Sequence, residues 1–317
     1  VEGTLTCLKP STIKKEINTQ FPNVLNIEPT NRCNLNCIYC PRERASKGIG
    51  IMDWNLYAHI IDEAAEQKQL IMLSFHKDGE SFLHPKFIEM IRYAKRKDVA
   101  EMLHMNTNAL CWTDKMIDEL IDSGIDDITV SLDAAWPETY KKHKGSNCLS
   151  QVEDNILRFY ERRNKLGLKH PFVRVKIMEF DEISAKELSD FRDKWEGVAD
   201  MVQVTGIHNW SGEIKDVKVT DETTNSRYPC AIMWYVLVIN WNGEVTVCSV
   251  DWDTEIMVGN ANKQTLHQIW NSHNIKEARK SHIEKKFDRF GVCKGCVVWV
   301  SIGDLFDWLK EHDEFYT

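Results

Sequence analysis

The chain lacks any apolar run long enough to span a bilayer, and its first 25 residues carry no hydrophobic signal-peptide region. It has no excess of basic residues. Lys and Arg number 40 against 48 Asp and Glu, a net charge of −8, so the basic face that a nucleic-acid partner would meet is not expected. Internal repeats and low-complexity tracts are also missing, which excludes solenoid and array architectures. What remains is an ordinary globular composition: 317 residues, 43% hydrophobic and 28% charged. That length suits one large α/β domain with a smaller appendage, acting on a small molecule or a peptide. The ten cysteines are many for a chain without an export signal. A cytoplasmic, reducing location disfavours structural disulfides and turns attention to metal ligation or catalysis.

Short β-branched or apolar runs alternate with longer amphipathic stretches from residue 24 to 207. The expected strands cover 24–29, 70–76, 102–106, 128–132, 173–180 and 201–207. Helices are expected over 54–66, over 86–97 opened by Pro85, over 114–122 between Thr113 and Gly124, and over 150–166. Six such units imply a parallel sheet, because each return to a parallel strand needs a crossover. Six is short of eight, so a partly closed barrel and an open sheet both fit. Beyond 207 the rhythm changes. Residues 215–228 read as a polar linker, 234–247 as a hairpin turning at Asn242-Gly243, and 266–280 as a helix, together forming a separate small module. The expected boundaries are an extension over 1–23, the main domain over 24–207, the second module over 208–300 and a tail over 301–317.

Seven cysteines fall into two groups. The first, Cys33-Asn-Leu-Asn-Cys37-Ile-Tyr-Cys40, follows the first strand, where parallel α/β folds place their chemistry. Three thiolates leave one iron of a four-iron cluster open; a zinc site short of one ligand is the alternative. With Tyr39 before its last cysteine, the stretch resembles the Cys-x3-Cys-x2-Cys motif of the radical S-adenosylmethionine (SAM) superfamily. That resemblance implies a partial (βα)6 TIM-like barrel and a 4Fe–4S cluster whose open iron binds SAM. Downstream, Asp78-Gly79-Glu80-Ser81 resembles the family's Gly-Gly-Glu-Pro segment, with Asp78 and Ser81 departing from it. Asn106 and Asn108 after the third strand, and Ser131 and Asp133 after the fourth, resemble segments lining SAM. Arg174 or Lys176 on the fifth strand is the expected partner of its carboxylate.

The second group is Cys230, Cys248 and the close pair Cys293 and Cys296. It resembles the twitch subdomain, a shorter relative of the SPASM domain, which implies a second, fully ligated 4Fe–4S cluster. A four-cysteine zinc site is the alternative. Asn209-Trp210-Ser211-Gly212, Val258-Gly-Asn260 and Ile269-Trp-Asn271 resemble further parts of these families.

The resemblance to enzymes of the 2-deoxy-scyllo-inosamine dehydrogenase type implies a 5′-deoxyadenosyl radical that takes a hydrogen atom from a sugar or aminocyclitol alcohol. The auxiliary cluster would accept the electron as the alcohol becomes a ketone. Trp210 stands where those enzymes place a substrate-contacting arginine, so His208 or Glu213 is the expected proton acceptor. An electron donor such as flavodoxin or ferredoxin is implied, and neither a nucleic acid nor a membrane. Peptide modification is a second reading, although only about 23 residues precede the first strand, fewer than a peptide-recognition domain occupies. Epimerisation with Cys111 or Cys148 as hydrogen donor is a third, and a non-enzymatic iron–sulfur or zinc protein a fourth.

Overall fold

A computed structural model describes residues 20–68, 70–206 and 227–299. Six parallel strands lie side by side in chain order: β1 (Val24–Ile27), β2 (Leu70–Ser74), β3 (Ala100–Thr107), β4 (Asp127–Ser131), β5 (Phe172–Glu179) and β6 (Met201–Gly206). Each return passes through helix: α1 (Trp54–Gln67), α2 (Phe87–Lys97), α3 (Asp114–Ile121), α4 (Pro137–Lys144) with α5 (Leu149–Lys165), and α6 (Ala185–Trp195). This is the parallel α/β partial barrel expected from the sequence. Side chains of the sheet sort by parity. Leu25, Ile27, Leu73, Leu103, Ile128, Val130, Val173 and Val175 are buried in the apolar core, whereas Asn26, Ser74, His104, Asn106, Ser131 and Lys176 line a cavity. One face of the sheet is therefore apolar, and the other is mostly polar where it meets the cavity, with Met72 and Met178 among the polar groups.

Local signals set most helix starts. The Asp53 side chain accepts from Asn55 N and Leu56 N to open α1, Thr113 caps α3, and Ser184 caps α6. Helix α2 begins at Phe87 with Lys86 at its N-cap, so Pro85 stands just outside it. Helix α3 ends at Ile121, before Gly124. Two helices, α4 and α6, were absent from the sequence reading. The first carries signals that could have revealed it, Pro137 in its first turn and Gly145 in the left-handed region at its end.

The hairpin expected to head a detached module is built onto the same sheet. Strand β7 (Val236–Ile239) pairs in parallel with β1, from Val24 opposite Val236 to Ile27 opposite Ile239. Strands β8 (Glu244–Thr246) and β9 (Gly259–Asn260) follow antiparallel, giving the order β6-β5-β4-β3-β2-β1-β7-β8-β9. The four residues of β7 are apolar and buried, and they cover an edge of β1 that would otherwise expose unpaired backbone. Its turn differs from the expected tight Asn-Gly form. Gly243 takes φ +85 and donates to Asn240 O at 2.9 Å, whereas Asn242 keeps a negative φ. The helix expected over 266–280 is two helices, α7 (Leu266–Trp270) and α8 (His273–Ile283). Ser272 lies between them in extended conformation, and its hydroxyl accepts from Ile275 N, which starts a new helix. A short α9 (Gly291–Lys294) follows. Among the described residues no helix is long and apolar enough to cross a membrane.

Candidate active site

The polar face of the sheet ends in a cavity of about 210 Å³. Cys33, Cys37 and Cys40 line it, and so do Tyr39, Asp78, Gly79, Glu80, Asn106, Asn108, Ser131, Asp133 and Lys176. The loop that carries the three cysteines is tied down from several sides. Ile38 N donates to His143 O of α4 at 3.0 Å, Glu80 N donates to Arg32 O at 2.8 Å, and Asn108 Nδ2 donates to Asn34 Oδ1 at 2.7 Å. Gly79 presses directly on the same loop. A Cβ there would stand 2.1 Å from Thr30 O and 2.7 Å from Arg32 O, backbone atoms that cannot swing away. Gly79→Ala is therefore expected to displace the cysteine loop and weaken SAM binding at least tenfold, about 1.4 kcal/mol. Equilibrium dialysis of the anaerobically reconstituted protein would measure this.

Two buried charge networks frame the cavity. In the first, Lys144 Nζ donates to Asp133 Oδ2 at 2.6 Å and to Tyr39 Oη at 2.8 Å, while Tyr39 Oη donates to Asp133 Oδ2 at 3.0 Å. Met178 N donates to the other oxygen of Asp133 at 3.0 Å. Burial alone would raise the carboxyl pKa, but Lys144 and Lys176 hold it below the ordinary range. The residue before Cys40 is thus fixed to the segment that follows β4 and to α4. In the second, Lys77 and Lys47 reach Asp78 Oδ2 at 2.7 Å and 3.2 Å, and Lys47 also reaches Glu28 at 3.2 Å and Asn240 Oδ1 at 3.0 Å. Two positive and two negative groups balance there, almost without solvent. The first departure from Gly-Gly-Glu-Pro, Asp78, is held by this quartet. The second, Ser81, donates to Phe75 O at 2.7 Å.

Glu80 accepts from Thr107 Oγ1 at 3.0 Å, Asn108 N at 2.8 Å and Phe82 N at 3.3 Å. Burial raises its pKa to about 6 against those hydrogen bonds. Arg174 and Lys176, the two expected carboxylate partners, separate clearly. Arg174 lies outside the cavity lining and is engaged by Asp127, which also takes His104 Nδ1 at 2.6 Å. Lys176 lines the cavity with no hydrogen bond or ion pair among the described residues, and burial keeps its pKa below the ordinary lysine range against the pull of Asp133. His208 and Glu213 lie outside the described residues, as does the Asn209–Gly212 stretch. Cys111 accepts from Asn34 Nδ2 at 3.2 Å, Cys148 accepts from Ser146 Oγ at 3.0 Å, and neither lines the cavity.

Several lining residues were missed in the sequence: Asn26, His76, Lys77, Lys144 and Ser249. His76 shares the parity of Met72 and Ser74, a period-two signal that could have found it. Lys144 and Ser249 reach the cavity from a helix end and from the second module, and no local pattern announces either.

Cys230, Cys248, Cys293 and Cys296 line a second, small cavity together with Ile232, Met233, Val292, Val298 and Trp299. Burial pushes the thiols up, Cys230 to about 12, so they would ionise only against a bound cation. Among the described residues no three His, Cys, Asp or Glu side chains converge as one bound ion requires. Four thiols lining one mostly apolar chamber fit a four-iron cluster, in which each sulfur meets a different iron. Consecutive residues line the two cavities: Cys248 the second and Ser249 the first.

Residues 27–174 match the radical SAM superfamily, and residues 230–297 match SPASM, an iron–sulfur cluster-binding domain. The tungsten-containing aldehyde ferredoxin oxidoreductase cofactor-modifying protein of Pyrococcus furiosus is 24% identical, covering 91% of this chain and 90% of that protein. Among solved structures, Streptococcus suis SuiB bound to the precursor peptide SuiA aligns with a TM-score of 0.67 at 16% identity, over 90% of this chain and 73% of that one. BtrN in complex with AdoMet and 2-DOIA aligns with a TM-score of 0.59 at 19% identity, over 87% and 92%.

Proposed function

On the premise that the chain is a radical SAM enzyme carrying a SPASM domain and 4Fe–4S clusters, we propose that it oxidises an alcohol of a small polar substrate, a sugar or aminocyclitol, to a ketone. When bound, SAM and the open-iron cluster would supply a 5′-deoxyadenosyl radical able to take the carbinol hydrogen atom; the hydroxyl proton would pass to a base, for which His208 or Glu213 is proposed, and the remaining electron to the auxiliary cluster. The observation that carries this reading is the shared Cys248-Ser249 peptide: one residue separates the wall of the reaction chamber from a cluster ligand.

The chain's own groups support it. Cys33, Cys37 and Cys40 would hold the first cluster, and the unpaired Lys176 would receive the SAM carboxylate. Glu80 braces the strand ends beside them. Three buried polar atoms of residues lining this cavity have no partner among the described residues: Asn26 Oδ1, His76 Nδ1 and Asp78 Oδ1. The amide of Asn26 is oriented by its donation to Ser249 Oγ at 2.6 Å, so its oxygen is left to accept. Burial lowers the pKa of His76 to about 4, and the ring is neutral. Such a wall suits a ligand rich in O–H and N–H donors. Reduction would come from a one-electron carrier of the flavodoxin or ferredoxin class.

The test is an anaerobic assay of the reconstituted protein with SAM, dithionite and a set of polyols and aminocyclitols deuterated at their carbinol carbons. Deuterium in 5′-deoxyadenosine, matched by ketone in equal amount, is the expected result. Modification of peptides with no alcohol oxidised would replace this reading with peptide maturation, for which the likeness to SuiB speaks.

A further inference from the structure

The walls of the auxiliary chamber are not wholly apolar. Arg227 and His282 line it with the four cysteines. His282, near the end of α8, is 1% exposed, and its Nδ1 accepts from Cys230 N at 3.2 Å. With that nitrogen accepting, the proton of the neutral ring resides on Nε2. Nε2 is buried and meets no partner among the described residues.

Arg227 is held by the ends of its side chain. Nη2 donates to Cys293 O at 2.8 Å and Nη1 to Lys294 O at 3.4 Å, and the guanidinium lies 4.3 Å from the centre of the Phe287 ring. Its Nε is also buried and without a partner. Both orphan atoms are N–H donors. None of the side chains lining the chamber carries an oxygen, so the acceptors on offer among them are sulfurs. A buried donor left unpaired is destabilising, and here two occur in one small chamber beside four thiols.

We propose that His282 Nε2–H and Arg227 Nε–H donate hydrogen bonds to sulfur atoms of the auxiliary four-iron cluster and raise its reduction potential. Reduction adds one electron to a centre that four thiolates already make negative, with no bond formed or broken. Donors aimed at its sulfurs stabilise the reduced form more than the oxidised one. The electron comes from the deprotonated substrate radical and leaves to a one-electron carrier of the flavodoxin or ferredoxin class. Both residues act on the cluster and not on the substrate. The inference rests on the auxiliary cluster, and its test contains no substrate, so its failure and that of alcohol oxidation are separable.

The experiment uses the full chain with Cys33→Ala, Cys37→Ala and Cys40→Ala, so that only the auxiliary cluster is loaded. A potentiometric titration followed by electron paramagnetic resonance reads its midpoint potential. His282→Leu and Arg227→Leu are each expected to shift the midpoint to lower potential. His282→Gln, whose amide can accept from Cys230 N and still donate, is expected to restore it. Unshifted midpoints in cluster-loaded leucine variants overturn the proposal. If a variant fails to load, pulsed paramagnetic resonance of the same triple-alanine chain, His282 and Arg227 intact and histidine labelled with nitrogen-15, decides. A histidine nitrogen coupled to the reduced auxiliary cluster is expected, and its absence overturns the assignment to His282.

Discussion

Lys144→Met is expected to destabilise the protein by about 3–5 kcal/mol, the usual cost of removing one partner from a buried ion pair. The methionine fills the space of the lysine stem but leaves Asp133, fully buried, without its 2.6 Å ammonium partner. Tyr39 loses a donor at the same time, and the loop carrying Cys37 and Cys40 loses one of its ties to α4, keeping the bond from Ile38 N to His143 O. Urea denaturation should show the loss of stability, and iron analysis a weaker first cluster. Lys144→Met combined with Asp133→Asn should recover most of the stability. Asparagine tolerates the φ of +58 at this position, keeps an oxygen for Met178 N and removes the stranded charge. A double variant no more stable than the single one would mean that packing, and not the ion pair, governs this corner.

Cys230→Ala with Cys248→Ala is expected to lower the iron of the anaerobically purified protein from about eight atoms per chain to about four. SAM cleavage should persist, because Cys33, Cys37 and Cys40 lie in the other cavity. Ketone formation should fall to the detection limit, since the electron left on the substrate would have no acceptor one residue beyond Ser249. About four irons and one zinc in the unsubstituted protein, with iron unchanged by the two substitutions, would instead return the second site to zinc. Ketone formation unchanged in the variant would remove the auxiliary cluster from the oxidation.

The legible parts of this protein were those whose physics is local. Strands such as 128–132 announce themselves by apolar runs, Thr113 announces a helix start, and the spacing of Cys33, Cys37 and Cys40 announces a group that the structure brings to one cavity. Illegible parts depend on partners distant in the chain. Arg174 and Lys176 are equivalent as residues two apart on one strand; only Asp127, on the neighbouring strand, decides that the first is engaged and the second available. Asp78 reads as damage to a motif until Glu28, Lys47 and Lys77 are seen around it. Lys144 sits at the end of a helix with a hydrophilic sequence, Pro-Glu-Thr-Tyr-Lys-Lys-His-Lys, so hydrophobic periodicity gave no hint of it. The break at Ser272 turns on a single hydroxyl, which period counting passes over.

The pairing of β7 with β1 bears on the electron transfer proposed above. Tunnelling slows steeply with distance, so two redox sites on hinged domains would exchange electrons at a rate that varies with every fluctuation. Here β1 runs toward the loop bearing Cys33, and β7 and β8 lie between Cys230 and Cys248. A ladder of backbone hydrogen bonds joins the two strands residue by residue. For the proposed oxidation it would serve as a ruler: the gap an electron would have to cross is tied to strand pairing, which side-chain rearrangements on substrate entry or product release would not reset.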